Sequence, residues 1–227
     1  MSAWTPTDRR IGLFSAVAVL LIVVIYRSTG FMGVVARPPH LRTLQQVDPY
    51  LAILEYLIIL VAITLVVLMS AVYAYAPPER KTYALAALAF IAIFAALTCS
   101  LPFVALTVVR RVESQWAPEF SRQLSFAGGG QWPTLALAVE LLAWDFFFGL
   151  GMLFAAPVFR GGRLENSIRG TMTLSGSLCV LATLGPITGE MRIPYLGIVG
   201  YAFVLPVICV LLAVLFARAT PREPSNF

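Results

Sequence analysis

Long apolar runs, separated by short breaks that carry charge, proline or glycine, dominate this chain. They cover residues 11–26, 50–76, 82–109, 134–159, 170–188 and 195–217. At 1.5 Å of rise per residue, about 20 apolar residues cross a hydrocarbon core of roughly 30 Å. The pattern therefore predicts an all-α, polytopic integral membrane protein, its six transmembrane helices forming one bundle over residues 1–227. Lipid offers no hydrogen bonds to an open backbone, so helices are what such runs must form.

Punctuation supports the same segmentation. Asp48 with Pro49 reads as an N-cap followed by proline at the first helical position, and Pro133 and Pro194 have the same opening role. Pro77 and Pro78 end the second run, and Gly161 and Gly162 follow the fourth. Pro102, Gly185, Pro186 and Pro206 fall inside runs; each proline frees a carbonyl that has to face protein or water. In the fifth run Thr171, Thr173, Ser175, Gly176 and Ser177 make a small, polar strip suited to close helix contact. The expected arrangement is a core of helices two to five with one and six on its flanks. Glu55, Glu79 and Pro102 recur in spacing as Glu140, Glu165 and Pro186, too few markers to establish a duplicated hairpin.

Two breaks are longer. Residues 110–132 hold Trp116, Phe120, Leu124, Phe126 and Trp132, a spacing that suits a loop lying in the headgroup layer. Residues 27–47 are similar and contain His40.

Composition narrows the class further. Hydrophobic residues are 59% and charged residues 12% of the chain, whereas a soluble domain carries roughly a quarter charged residues. Basic residues, fifteen arginines and Lys81, set orientation through short loops. With a cytoplasmic N-terminus, nine fall inside, in short loops, and seven outside, mostly in long ones. Both termini are expected to be cytoplasmic. Arg9 and Arg10 before the short first run resemble a signal-peptide start, but no A-x-A-like site follows, and the run reads as a retained span. The net charge of +5 suits a positive-inside protein and does not argue for nucleic acid. Cys99, Cys179 and Cys209 lie within apolar runs and read as small core hydrophobes.

Ionisable groups inside hydrocarbon are costly and are the default functional candidates. Glu55, Glu140 and Asp145 qualify. Glu55 follows Pro49 by six residues and Glu140 follows Pro133 by seven, so both sit roughly 10 Å below their helix starts. Facing one another, the two carboxylates would share a proton or hold a cation. Arg110, Arg111 and Arg192 belong to the same membrane face and are candidate charge partners; anchoring of the bundle by these acids is the plainer alternative. Asp145 lies near the midplane and, on a straight helix, points about 140° away from Glu140. Trp144 and Phe148 continue the Glu140 face, an aromatic wall able to hold an organic cation or amphiphile, although such spacing also serves ordinary packing.

Other chemistries lack parts. The one histidine is in a loop, which leaves bis-histidine haem and histidine-rich metal sites without ligands. Ser175 and Ser177 have no histidine base within the membrane, and no glycine loop ending in G-K-[ST] is present. No cofactor and no metal is expected.

The stretches Trp144–Leu150 (WDFFFGL), Phe154–Phe159 (FAAPVF) and Ser175–Cys179 (SGSLC) resemble those of a group of bacterial multi-span membrane proteins to which no activity is attached. The resemblance covers mainly the C-terminal half and implies a multi-pass protein of the bacterial inner membrane. The leading functional expectation is non-enzymatic binding or transport of a small solute, cation or amphiphile through a cavity lined by Glu55, Glu140 and Trp144. A structural subunit with membrane-protein partners and a lipid-modifying enzyme using the paired carboxylates are the alternatives. Besides the bilayer, the expected partners are a small molecule, a cation or a lipid.

Overall fold

A computed structural model describes residues 4–35, 49–109, 123 and 132–220. Six of its helices are long and apolar enough to cross a membrane: α1 (Pro6–Gly33), α2 (Tyr50–Tyr75), α3 (Pro78–Val108), α4 (Leu135–Val158), α5 (Arg163–Thr188) and α6 (Tyr195–Arg218). No strand occurs among the described residues. Large apolar side chains point outward, with Phe14 69% and Ile187 77% exposed, which fits a multi-pass membrane protein.

Where helices run beyond the expected apolar segments, polar turns extend them. Thr5 caps α1: its hydroxyl accepts from Asp8 N, while Asp8 Oδ2 accepts from Thr5 N at 2.9 Å. At its other end α1 continues through Tyr26 and Arg27, which the apolar run alone placed at the edge of a loop. α5 begins at Arg163, not at residue 170. Gly162 precedes its first turn, Glu165 complements the helix dipole there, and Tyr75 Oη donates to Glu165 Oε1 at 2.6 Å. Pro133 does not open α4 as the first helical residue. Thr134 is the cap, its Oγ1 accepting from Leu137 N at 3.3 Å, and Gln123 Oε1 accepts from Leu135 N at 3.0 Å. Pro49 and Pro194 are likewise not the first helical residues: each is the cap residue, one position before α2 at Tyr50 and α6 at Tyr195. Asp48, His40 and the aromatic residues of the 110–131 segment lie outside the described residues.

Packing also differs from the expected core with flanks. Each helix packs on its neighbours in sequence and α1 packs on α6, closing the six into a ring. At the closure Gly12 lets α1 approach the Phe216 ring, where an added Cβ would lie 2.8 Å from Cδ2. Arg9 donates to Phe216 O and Ala217 O at 3.0 and 2.6 Å, satisfying carbonyls at the C-terminal end of α6. Trp4 stacks on Phe216 and meets Tyr75 edge-on, and Tyr75 stacks on Phe159. This aromatic cluster packs the end of the bundle near the termini. The core continues through Leu65, Leu68, Ile91, Phe94, Met152, Met172 and Ile208, all fully buried.

Three segments are wound as π-helix: Ala105–Val109 at the end of α3, Leu142–Phe147 within α4 and Val199–Val204 within α6. A π turn holds one more residue than an α turn and re-aims the side chains that follow.

Candidate functional site

At the end of the bundle opposite the termini, four helices contribute polar side chains at one depth. Glu55 and Glu140 each lie five residues past the first residue of α2 and α4, and Tyr201 lies six past the start of α6. Arg27 lies six before the end of α1. At 1.5 Å per residue these positions are about 8–9 Å from the helix ends. Helix spacing thus turns four separate sequence positions into one layer.

The layer surrounds a cavity of about 320 Å³ between α1, α2, α4 and α6, lined by Tyr26, Arg27, Glu55, Glu140, Trp144 and Tyr201 together with aliphatic side chains. Glu55 is buried and Glu140 half-buried. The two carboxylates lie within electrostatic reach of each other, and Tyr26 is within reach of both. Trp144, one turn beyond Glu140, lies close enough to act on that carboxylate and lines the same cavity. One Glu140 oxygen, Oε1, is buried with no hydrogen-bond partner among the described residues. Trp144 also packs against Tyr201 with ring centroids 4.9 Å apart. An acidic, electron-rich wall therefore faces an otherwise apolar space, the composition that attracts a cation bearing apolar groups.

Arg27 is held at the edge of this space by α6. Pro206 has no N–H for the carbonyl of Ala202 four residues back, and Arg27 Nη1 donates to that oxygen at 3.2 Å. Its guanidinium also lies 4.4 Å from the centroid of the Phe203 ring.

The sequence candidates divide. Glu55, Glu140 and Trp144 share the cavity. Phe148 does not line it: the π turn between them re-aims the helix, and Phe148 is fully buried against Phe94 and Trp144. Asp145 is fully buried and faces Gly197 of α6, where any side chain would collide with its Oδ1. Arg192 is exposed in the turn before α6, its backbone N–H donating to Glu190 Oε1 at 3.2 Å, and it does not line the cavity. Arg110 and Arg111 lie outside the described residues. Sequence reading missed Tyr26, Arg27 and Tyr201. Tyr26 is the last residue of the apolar run and Arg27 the first beyond it, and their depth follows only from the continuation of α1 to Gly33; Tyr201 has the same depth as the acids but no charge to mark it.

The polar strip of α5 is used in packing. Ser175 Oγ donates to Gly200 O at 3.0 Å, and Gly176 meets Gly149 of α4 so closely that a Cβ would lie 2.6 Å from Gly149 O. No group of three or more His, Cys, Asp or Glu side chains suited to a metal occurs among the described residues. Set beside protein-family models, curated proteins and solved structures, the chain matches none of them.

Proposed function

We propose that this chain is a non-enzymatic, multi-pass membrane protein that binds a small organic cation or cationic amphiphile in the cavity between α1, α2, α4 and α6, and passes it toward or across the bilayer. The observation that carries this reading is the placement of Glu55 and Glu140 at one depth beside Trp144 and Tyr201 in a mainly apolar cavity. A hydrated inorganic ion would gain little from such walls, whereas an ammonium or phosphonium centre with hydrocarbon substituents meets the Glu140 carboxylate and the aromatic rings together. The basic-residue distribution supports cytoplasmic termini, which would make the cavity open to the outside of a bacterial inner membrane.

Equilibrium binding of tetraphenylphosphonium to the detergent-purified protein tests the proposal. The account predicts saturable binding that Glu140→Gln weakens about tenfold, the equivalent of about 1.4 kcal/mol, while the protein stays monodisperse. Unchanged affinity in that variant would remove Glu140 from the site. A scaffold subunit or a lipid-modifying enzyme would need no such cation site.

A further inference from the structure

Asp145 lies behind the cavity in a different setting. It is 0% exposed, neither carboxylate oxygen has a hydrogen-bond partner among the described residues, and it sits in the π turn Leu142–Phe147 of α4. Opposite it stands α6 just ahead of a second π turn, Val199–Val204, with Gly197 allowing the backbone to close on Asp145 Oδ1. The titratable groups facing it are Cys179 on α5 and Tyr201 on α6. No Lys, Arg or His among the described residues acts on it. An ionised carboxylate with neither donor nor cation is the least stable state such a position can hold.

The surroundings discriminate between occupants that would neutralise it. A metal cation needs several oxygen ligands, yet no group of three or more His, Cys, Asp or Glu side chains is gathered among the described residues, and the nearby Gly197 and Gly200 carbonyls each already accept a hydrogen bond, from Cys179 Sγ at 3.7 Å and Ser175 Oγ at 3.0 Å. A proton needs one carboxylate oxygen and no coordination shell. Two residues join this position to the cavity. Trp144 precedes Asp145 in the same π turn and lines the cavity, and Tyr201 lines it while lying within electrostatic reach of Asp145.

We infer that Asp145 is a second binding site, for a single exchangeable proton, and that its occupancy is linked to cation binding in the cavity through the Trp144–Tyr201 wall. The linkage rests on the cation-binding reading; the proton site does not. A positive charge arriving in the cavity favours release of the proton, and by reciprocity loss of the proton favours the cation. Net charge in the protein interior is conserved when one cation enters and one proton leaves. This exchange is a means of coupling solute binding to a proton gradient.

Infrared difference spectroscopy of the purified full-length protein, with tetraphenylphosphonium as probe, tests both parts. The wild type is expected to show the C=O stretch of a protonated carboxylic acid that Asp145→Asn, a neutral isostere, removes. Adding the cation should diminish that band and release up to one proton per cation bound to a weakly buffered medium. Tyr201→Phe should keep the band but lessen its response. Absence of any Asn-sensitive band overturns the proton site. A band that ignores bound cation overturns the linkage. If the probe fails to bind while the Asn-sensitive band is present, the proton site stands and both the linkage and the cation-binding reading fall. Should Asp145→Asn not fold, the band is followed with pH in the double variant Glu55→Gln and Glu140→Gln, which removes the two cavity carboxylates: a band that persists there and is lost on raising the pH supports the Asp145 proton site, and its absence or indifference to pH overturns it.

Discussion

At the scale of single residues, the polar groups of this bundle are placed by where the backbone leaves hydrogen bonds unmade. Thr134 shows the simplest case: with its Oγ1 accepting from Leu137 N, it satisfies one of the open donors at the start of α4. Thr134→Ala is expected to lower stability by about 1 kcal/mol, read as a lower midpoint in thermal unfolding in detergent, and an unchanged midpoint would show that Gln123 suffices. Arg27 is the more consequential case, since Pro206 leaves the Ala202 carbonyl short of a donor and so gives the guanidinium a fixed place beside the cavity. Arg27→Leu removes a positive charge from the rim and is expected to strengthen tetraphenylphosphonium binding severalfold; weaker binding would mean that Arg27 shapes the site more than it repels. Glu55, Glu140 and Trp144 were legible in the sequence because depth can be counted from a helix start and a carboxylate in an apolar run is conspicuous. Tyr26, Arg27 and Tyr201 were not: a tyrosine near a membrane face is ordinary, and an arginine just past an apolar run counts as loop charge.

At the scale of elements, run length alone located all six long helices, while their ends and irregularities depended on other forces. α5 gained two polar turns before residue 170 because Gly162, Glu165 and Tyr75 stabilise its start, none of which adds hydropathy. The π turn of α6 holds Gly200 and ends two residues before Pro206, whereas that of α4 has no signature in the local sequence, since Leu142 through Phe147 contain neither glycine nor proline. For that reason the expected continuation of the Glu140 face to Phe148 did not survive, while the separation of Asp145 from the cavity did. Close approach of α4 to α5 is argued by Gly176, where a methyl group would lie 2.6 Å from Gly149 O, and by Gly149, where one would crowd Cys179 and Val180 at 3.0 Å. Gly176→Ala is expected to force the two helices apart and destabilise by about 1–3 kcal/mol. A thermal midpoint equal to wild type would contradict that packing.

At the scale of the whole molecule, six helices in sequence order form a ring whose ends meet at α1 and α6. Trp4, Tyr75, Phe159 and Phe216 pack the end near the termini, and the acid-lined cavity occupies the other, so the two ends are chemically opposite. On the proposed reading, the basic-residue count puts the termini inside. A fluorescent-protein fusion after Phe227 should therefore fluoresce in bacterial cells and an alkaline phosphatase fusion at the same point should be inactive; the reverse pair of results would invert the molecule and turn the cavity to the cytoplasm. The central claim remains that a cation occupies the cavity between α1, α2, α4 and α6. The most direct measurement is photo-crosslinking of the purified protein with an aryl-azide quaternary ammonium probe, followed by mapping of the labelled residues by mass spectrometry. The account predicts labelling at Tyr26, Trp144 and Tyr201 that excess tetraphenylphosphonium suppresses. Labelling confined to outward-facing side chains such as Phe14 and Ile187, or indifferent to the competitor, would contradict it.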